Sequence, residues 1–75
     1  MATAQEIADA AESSVNFQAR RGCFLLRPPV KLTFEMTGEV VNAIAVDING
    51  KYPNTVRTTE KGFWIYAGEF DIVQE

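Results

Sequence analysis

The chain has 75 residues, 47% hydrophobic and 23% charged, with a formal net charge of −3, one cysteine and no histidine. This is ordinary globular composition, too apolar for disorder, and Cys23 alone excludes both an intramolecular disulfide and a Cys/His zinc site. A domain of this size buries only about 60% of the surface its unfolded chain exposes, so no deep substrate cavity is expected and stability must come from packing or from association, a homo-oligomeric contact included.

The opening MATAQEIADAAESS has neither a basic n-region nor a long apolar run, so no signal peptide and no membrane span is expected, and the setting reads as cytoplasmic. Thr3 and Glu6 have the spacing of a capping box, which predicts a helix from about Ala4 to a point between Ser14 and Arg20. Glu6, Asp9 and Glu12 suit its positive end, Arg20 and Arg21 its negative end, and Gly22 the left-handed position that closes a helix. Its apolar stripe, Ala4, Ile7, Ala8, Ala11 and Val15, is mostly alanine and buries little per turn. Ser13, Ser14 and Asn16 are poor helix formers, a place for the helix to break and let Phe17 turn inward.

After Cys23 the period changes from helical to two. Cys23 to Leu26 is a short apolar run, Pro28-Pro29 forces a bend or an edge because proline has no donor for a ladder, and Val30 to Met36 alternates apolar and polar as a half-buried strand does. Beyond the Thr37-Gly38 turn, Val40, Ile44, Val46 and Ile48 share one strand face opposite Val41, Ala43 and Ala45, and Asn49-Gly50 predicts a type I′ hairpin. Tyr52 to Thr59 is the returning strand, Glu60-Lys61-Gly62 a turn, Phe63 to Ala67 the next strand, and Phe70, Ile72 and Val73 a terminal one. The expected fold is mainly β (α+β): one domain over 1–75, with a helical segment to about residue 21 followed by five or six short antiparallel strands as a small barrel or curled sheet.

TGEVVNAIAVDINGKYPNTVR followed by GFWIYAGEFDIV resembles the core of small SH3-like barrels over roughly residues 33 to 74. Within that group it resembles accessory subunits of photosynthetic electron-transfer complexes. The Lys51-Tyr52-Pro53 and Thr55-Val56-Arg57 run is similar to the PsaE subunit of photosystem I, and Pro28-Pro29 with Gly38-Glu39-Val40-Val41 to the O subunit of the NAD(P)H dehydrogenase-like complex. The resemblance implies a noncatalytic subunit that docks on a larger assembly, although this chain opens with a helix where those subunits open with a strand carrying a Gly-Asp step.

Without histidine, general acid–base and nucleophilic chemistry would fall to carboxylates, lysines, tyrosines or Cys23. Arg20, Arg21 and Arg27 could activate an exposed Cys23, but a buried strand cysteine is the expected state. Glu69, Asp71 and Glu75 read as a solvated face rather than a cation site, and no glycine belongs to a phosphate loop, so no metal or cofactor is expected. Strand alternation places Phe63 and Ile65 inward and Trp64 and Tyr66 on the opposite face, unless the N-terminal helix covers Trp64. With Tyr52 and Arg57 they form the expected partner-binding set, of the residue types that dominate interfaces. A protein-binding module, as an accessory subunit or a small inhibitor such as phages and mobile elements direct against host defence enzymes, is the first reading. A nucleic-acid-binding barrel using Arg20, Arg21, Arg27 and Lys31 is the second.

Overall fold

A reciprocal pair of hydrogen bonds starts the helix: Thr3 Oγ1 accepts from the Glu6 amide at 3.1 Å and Glu6 Oε1 from the Thr3 amide at 3.0 Å. The structure is a computed structural model that describes residues 1–17 and 22–73. Helix α1 (Ala4–Ala10) is followed by strands β1 (Ser13–Asn16), β2 (Cys23–Phe34), β3 (Val40–Asp47), β4 (Thr55–Thr58), β5 (Ile65–Tyr66) and β6 (Phe70–Ile72), with a 3-10 turn, Ala67–Glu69, joining the last two. The chain is thus mostly β, as its two-residue rhythm indicates.

The helix is shorter than its caps and charges suggest. It ends at Ala11, which is extended (φ −75°, ψ 146°), and Ser13 to Asn16 pair antiparallel with Arg27 to Phe24. Residues with poor helix propensity gain a full backbone ladder by pairing with the apolar start of β2, which outweighs a further turn of alanine-lined helix. Val15, assigned to the helical stripe, is therefore 48% exposed on a strand, and Phe17 is half-buried outside the core. Arg20 and Arg21 lie outside the described residues. Gly22 does adopt the left-handed conformation (φ +80°), but at the β1–β2 hairpin rather than at a helix end. A Cβ there would stand 2.8 Å from the Asn49 amide nitrogen and closer still to its side chain.

The strands form one antiparallel sheet in the order β1-β2-β3-β4-β5, with β6 also on β2. No pairing among the described residues joins β5 to β1 or β6, so of barrel and curled sheet it is the open sheet that forms. β2 bends where the prolines predict. Leu25 pairs with Ala45 and Val30 with Ala43, so β2 advances five residues, 25 to 30, while β3 advances two, 45 to 43. Pro28 and Pro29 sit in this bulge, where a missing N–H leaves no ladder bond unmade. The half of β2 before the bulge carries β1, and the half after it carries β6 through Leu32↔Ile72, Thr33↔Asp71 and Phe34↔Phe70.

A second bulge corrects the expected faces of β3. Ala43 pairs with Thr58 but Ala45 with Arg57, leaving Ile44 as an extra residue. Inward positions therefore switch from Val41 and Ala43 to Val46, all in the core, while Val40, assigned to the face of Val46, is 55% exposed. Asn49-Gly50 does not form a two-residue turn either. Asp47 pairs with Thr55, and the intervening residues 48–54 wrap around the buried Asp47 carboxylate, which accepts from the amides of Gly50 (2.6 Å) and Tyr52 (3.1 Å). A side chain that satisfies loop amides competes directly with a tight backbone turn.

Ile7, Leu32, Val41, Val46, Val56 and Phe70 are the large fully buried side chains, and Phe34 packs on Phe70 at 5.3 Å between centroids. Each contributes about 1.5–3 kcal/mol. Asn54 ties the periphery to this core. It is in the left-handed region (φ 59°), its Oδ1 accepts from the Ala4 amide at 2.7 Å, and its carbonyl accepts from the Ala67 amide at 2.8 Å. One residue thereby satisfies an orphan donor of α1 and holds the 3-10 turn. Asn54→Ala is expected to lower the unfolding free energy by about 2–4 kcal/mol, from backbone strain plus an unsatisfied donor. Asn54→Gly, which tolerates the backbone, should lose only the hydrogen-bond part. Urea denaturation of the two variants checks this, and a wild-type midpoint for Asn54→Ala would refute it.

Candidate docking face opposite the helix

Residues opposite one another on neighbouring strands share a sheet face, so the register sorts the side chains. Phe24, Val46, Val56 and Ile65 form one row, on the core side with α1. On the other face, Cys23, Asp47, Thr55 and Tyr66 form one row, and Val15, Leu25, Ala45 and Arg57 the next. Beside them a groove of about 380 Å³ is lined by Tyr52, Thr55, Arg57, Gly62, Phe63 and Trp64.

Three of the four sequence-predicted docking residues, Trp64, Arg57 and Tyr52, meet in this groove, and Tyr66 lies beside Thr55. Tyr52 is 50% and Tyr66 56% exposed, whereas Trp64 is half-buried. Trp64 opens on the side away from α1, so the helix is not its cover. The Tyr66 ring rests against Gly68, where a Cβ would stand 2.3 Å from it. Glycine at 68 thus leaves room for the ring beside the following turn. Phe63 departs from expectation: Ile65 packs against the core, but Phe63 is 64% exposed. β5 is only two residues long, so strand alternation does not extend back to position 63. The exposure of Phe63 escapes a reading by alternation for that reason, although Gly62 signals that the backbone there is irregular; Thr55 shares its face with Arg57 by the alternation of β4.

The basic segment is divided. Arg27 pairs with Ser13 within the stretch where β2 bulges away from β3, and Lys31 with Asn42 after it, both exposed; Arg20 and Arg21 fall outside the described residues. Lys51 lies 5.5 Å over the Tyr52 ring. Cys23 is buried at 3% exposure, as expected of a strand cysteine in an apolar run. Glu69 lies in the 3-10 turn, Asp71 contacts the Met1 amine together with Glu35, and Glu75 is outside the described residues. Among the described residues no group of three or more Cys, Asp or Glu is placed to hold a metal ion, and no helix is long and apolar enough to cross a membrane.

No protein-family model matches the chain, and neither the curated proteins nor the solved structures include a significant match to it.

At the far end of the sheet Glu60 fastens the β4–β5 turn to β3. Its Oε1 accepts from the Asn42 amide (3.0 Å) and the Thr59 hydroxyl (2.7 Å), and its Oε2 from Asn42 Nδ2 (3.0 Å). These donors, the Asn42 amide first, lower its pKa from 4.5 to about 2. A depressed carboxylate stabilises the fold above its unfolded pKa and loses that contribution as pH falls through the folded value. Glu60→Gln should therefore flatten the pH dependence of stability between about 4.5 and about 2, measured by thermal melting. Parallel curves for the two proteins would refute the assignment.

Proposed function

We propose that this protein is a noncatalytic protein-binding module, either an accessory subunit of a larger complex or a small inhibitor of the kind phages and mobile elements direct against host defence enzymes. It docks through the face around Trp64. The supporting observation is a groove that gathers Trp64, Phe63 and Tyr52 beside Arg57, with Tyr66 adjacent, on the side of the sheet away from the helix. Aromatic and arginine side chains supply most interface hot spots, and partly buried rings held by their neighbours lose little freedom on binding. A cytoplasmic setting suits a chain with a single cysteine.

The rival reading, a nucleic-acid-binding domain, would use Arg27 and Lys31 with Arg20 and Arg21. A net charge of −3 weighs against it, since phosphate contacts dominate such binding. Affinity capture from the native host with wild type, Trp64→Ala and Arg57→Ala separates the two. The expected result is a stoichiometric protein partner held by wild type and lost in both variants, each still melting cooperatively. Retention by Trp64→Ala, or recovery of nucleic acid alone, would overturn the proposal.

A further inference from the structure

The cations of the docking face are unpaired while the exposed acids lie elsewhere. Among the described residues, Arg27, Lys31, Lys51 and Arg57 make no ion pair, whereas Lys61 pairs with Glu39 and the Met1 amine with Glu35 and Asp71. Arg27 continues the face on which Leu25 and Cys23 lie, since β1 and β2 pair without interruption from Phe24 to Arg27. The exposed carboxylates sit on and just after α1, in the β2–β3 turn, after β4 and in β6. Asp47 lies in a row of this face and Glu60 follows β4, and both are already engaged. Asp47 is 2% exposed and bound to the Gly50 and Tyr52 amides, and Glu60 is held by Asn42 and Thr59. A molecule of net charge −3 thus keeps four solvent-facing cations among its described residues, two of them flanking the aromatic groove, without an internal counter-ion.

Unpaired guanidinium groups beside exposed rings suit a ligand that offers carboxylates and an apolar side chain together. Arginine binds a carboxylate through two parallel hydrogen bonds, and complementary charge suppresses wrong partners and speeds encounter. The acidic remainder of the domain disfavours a polyanion with evenly spaced charge, and four cations release few counterions from a nucleic acid. We propose that this face docks an extended acidic segment of a partner protein, with an apolar side chain against Trp64 and a carboxylate on Arg57. The inference rests on the protein-binding reading above and adds the partner's chemistry to it.

Trp64 is the one tryptophan, so its emission reports on this site alone. The test is selection of a displayed library of random dodecapeptides lacking tryptophan against the intact protein, followed by titration of the enriched peptides into wild type and Arg57→Glu. Circular dichroism melting establishes that the variant is folded. The expected result is enrichment of peptides carrying several Asp or Glu around an aromatic or aliphatic residue. They should shift Trp64 emission saturably, bind at least about tenfold more weakly to Arg57→Glu, and weaken with added salt. Replacing their Glu by Lys should restore binding to Arg57→Glu. Enrichment of neutral or basic peptides that still shift Trp64 would overturn the acidic partner while leaving the protein-docking face standing. Two outcomes would remove both proposals: no enriched peptide that shifts Trp64, or oligothymidylate shifting its emission at lower concentration than the best peptide.

Discussion

The structure depends on one strand that serves two sheets' worth of neighbours. β2 is twelve residues long and pairs with β3 along most of its length, while its other edge is shared between β1 and β6. A single flat strand cannot hold both neighbours in line, and the Pro28-Pro29 bulge bends it between the two. The helix follows from the same arrangement. Ala2 donates to the Phe70 carbonyl, which sets the start of the chain beside β6 and brings Ala4, Ile7 and Ala8 over the core row.

With so few residues, one side of the sheet absorbs the large fully buried apolar side chains. Leu32, Val41, Val46, Val56 and Phe70 face inward, and a seven-residue helix rich in alanine is enough to close that side. Among the described residues the other face has no second layer. Small residues such as Ala45 and Cys23 are buried there by their neighbours, whereas Trp64, Tyr66, Phe63 and Tyr52 stand at its margin. The groove at that margin gathers aromatic side chains, which is the feature that suits a docking role.

Much of this was legible in the residues, and the failures have identifiable causes. The capping box, the Val30 to Phe34 alternation and the proline bend follow from local chemistry that tertiary contacts did not override. The helix overran because its caps and charges mark a start well but its end was decided by strand pairing of Ser13 to Asn16, a partner distant in the sequence signal. The bulge at Ile44 shifted the phase of β3, and no residue type announces a bulge without a glycine. Asn49-Gly50 predicts a tight hairpin, yet the buried Asp47 carboxylate accepts from the Gly50 and Tyr52 amides and organises a longer loop, whose Tyr52 lines the groove. Charge asymmetry between faces was invisible in a net charge of −3 because it arises only when the register is known.

The central claim is that Trp64 opens onto a face of positive charge on an acidic protein. Quenching of its fluorescence by iodide and by caesium, each scaled to free N-acetyltryptophanamide, tests this without any partner. The account predicts that iodide, drawn to Arg57 and Lys51, quenches Trp64 more efficiently than caesium on that scale, and that the difference shrinks with salt. Equal or greater quenching by caesium, or protection from both ions, would contradict it.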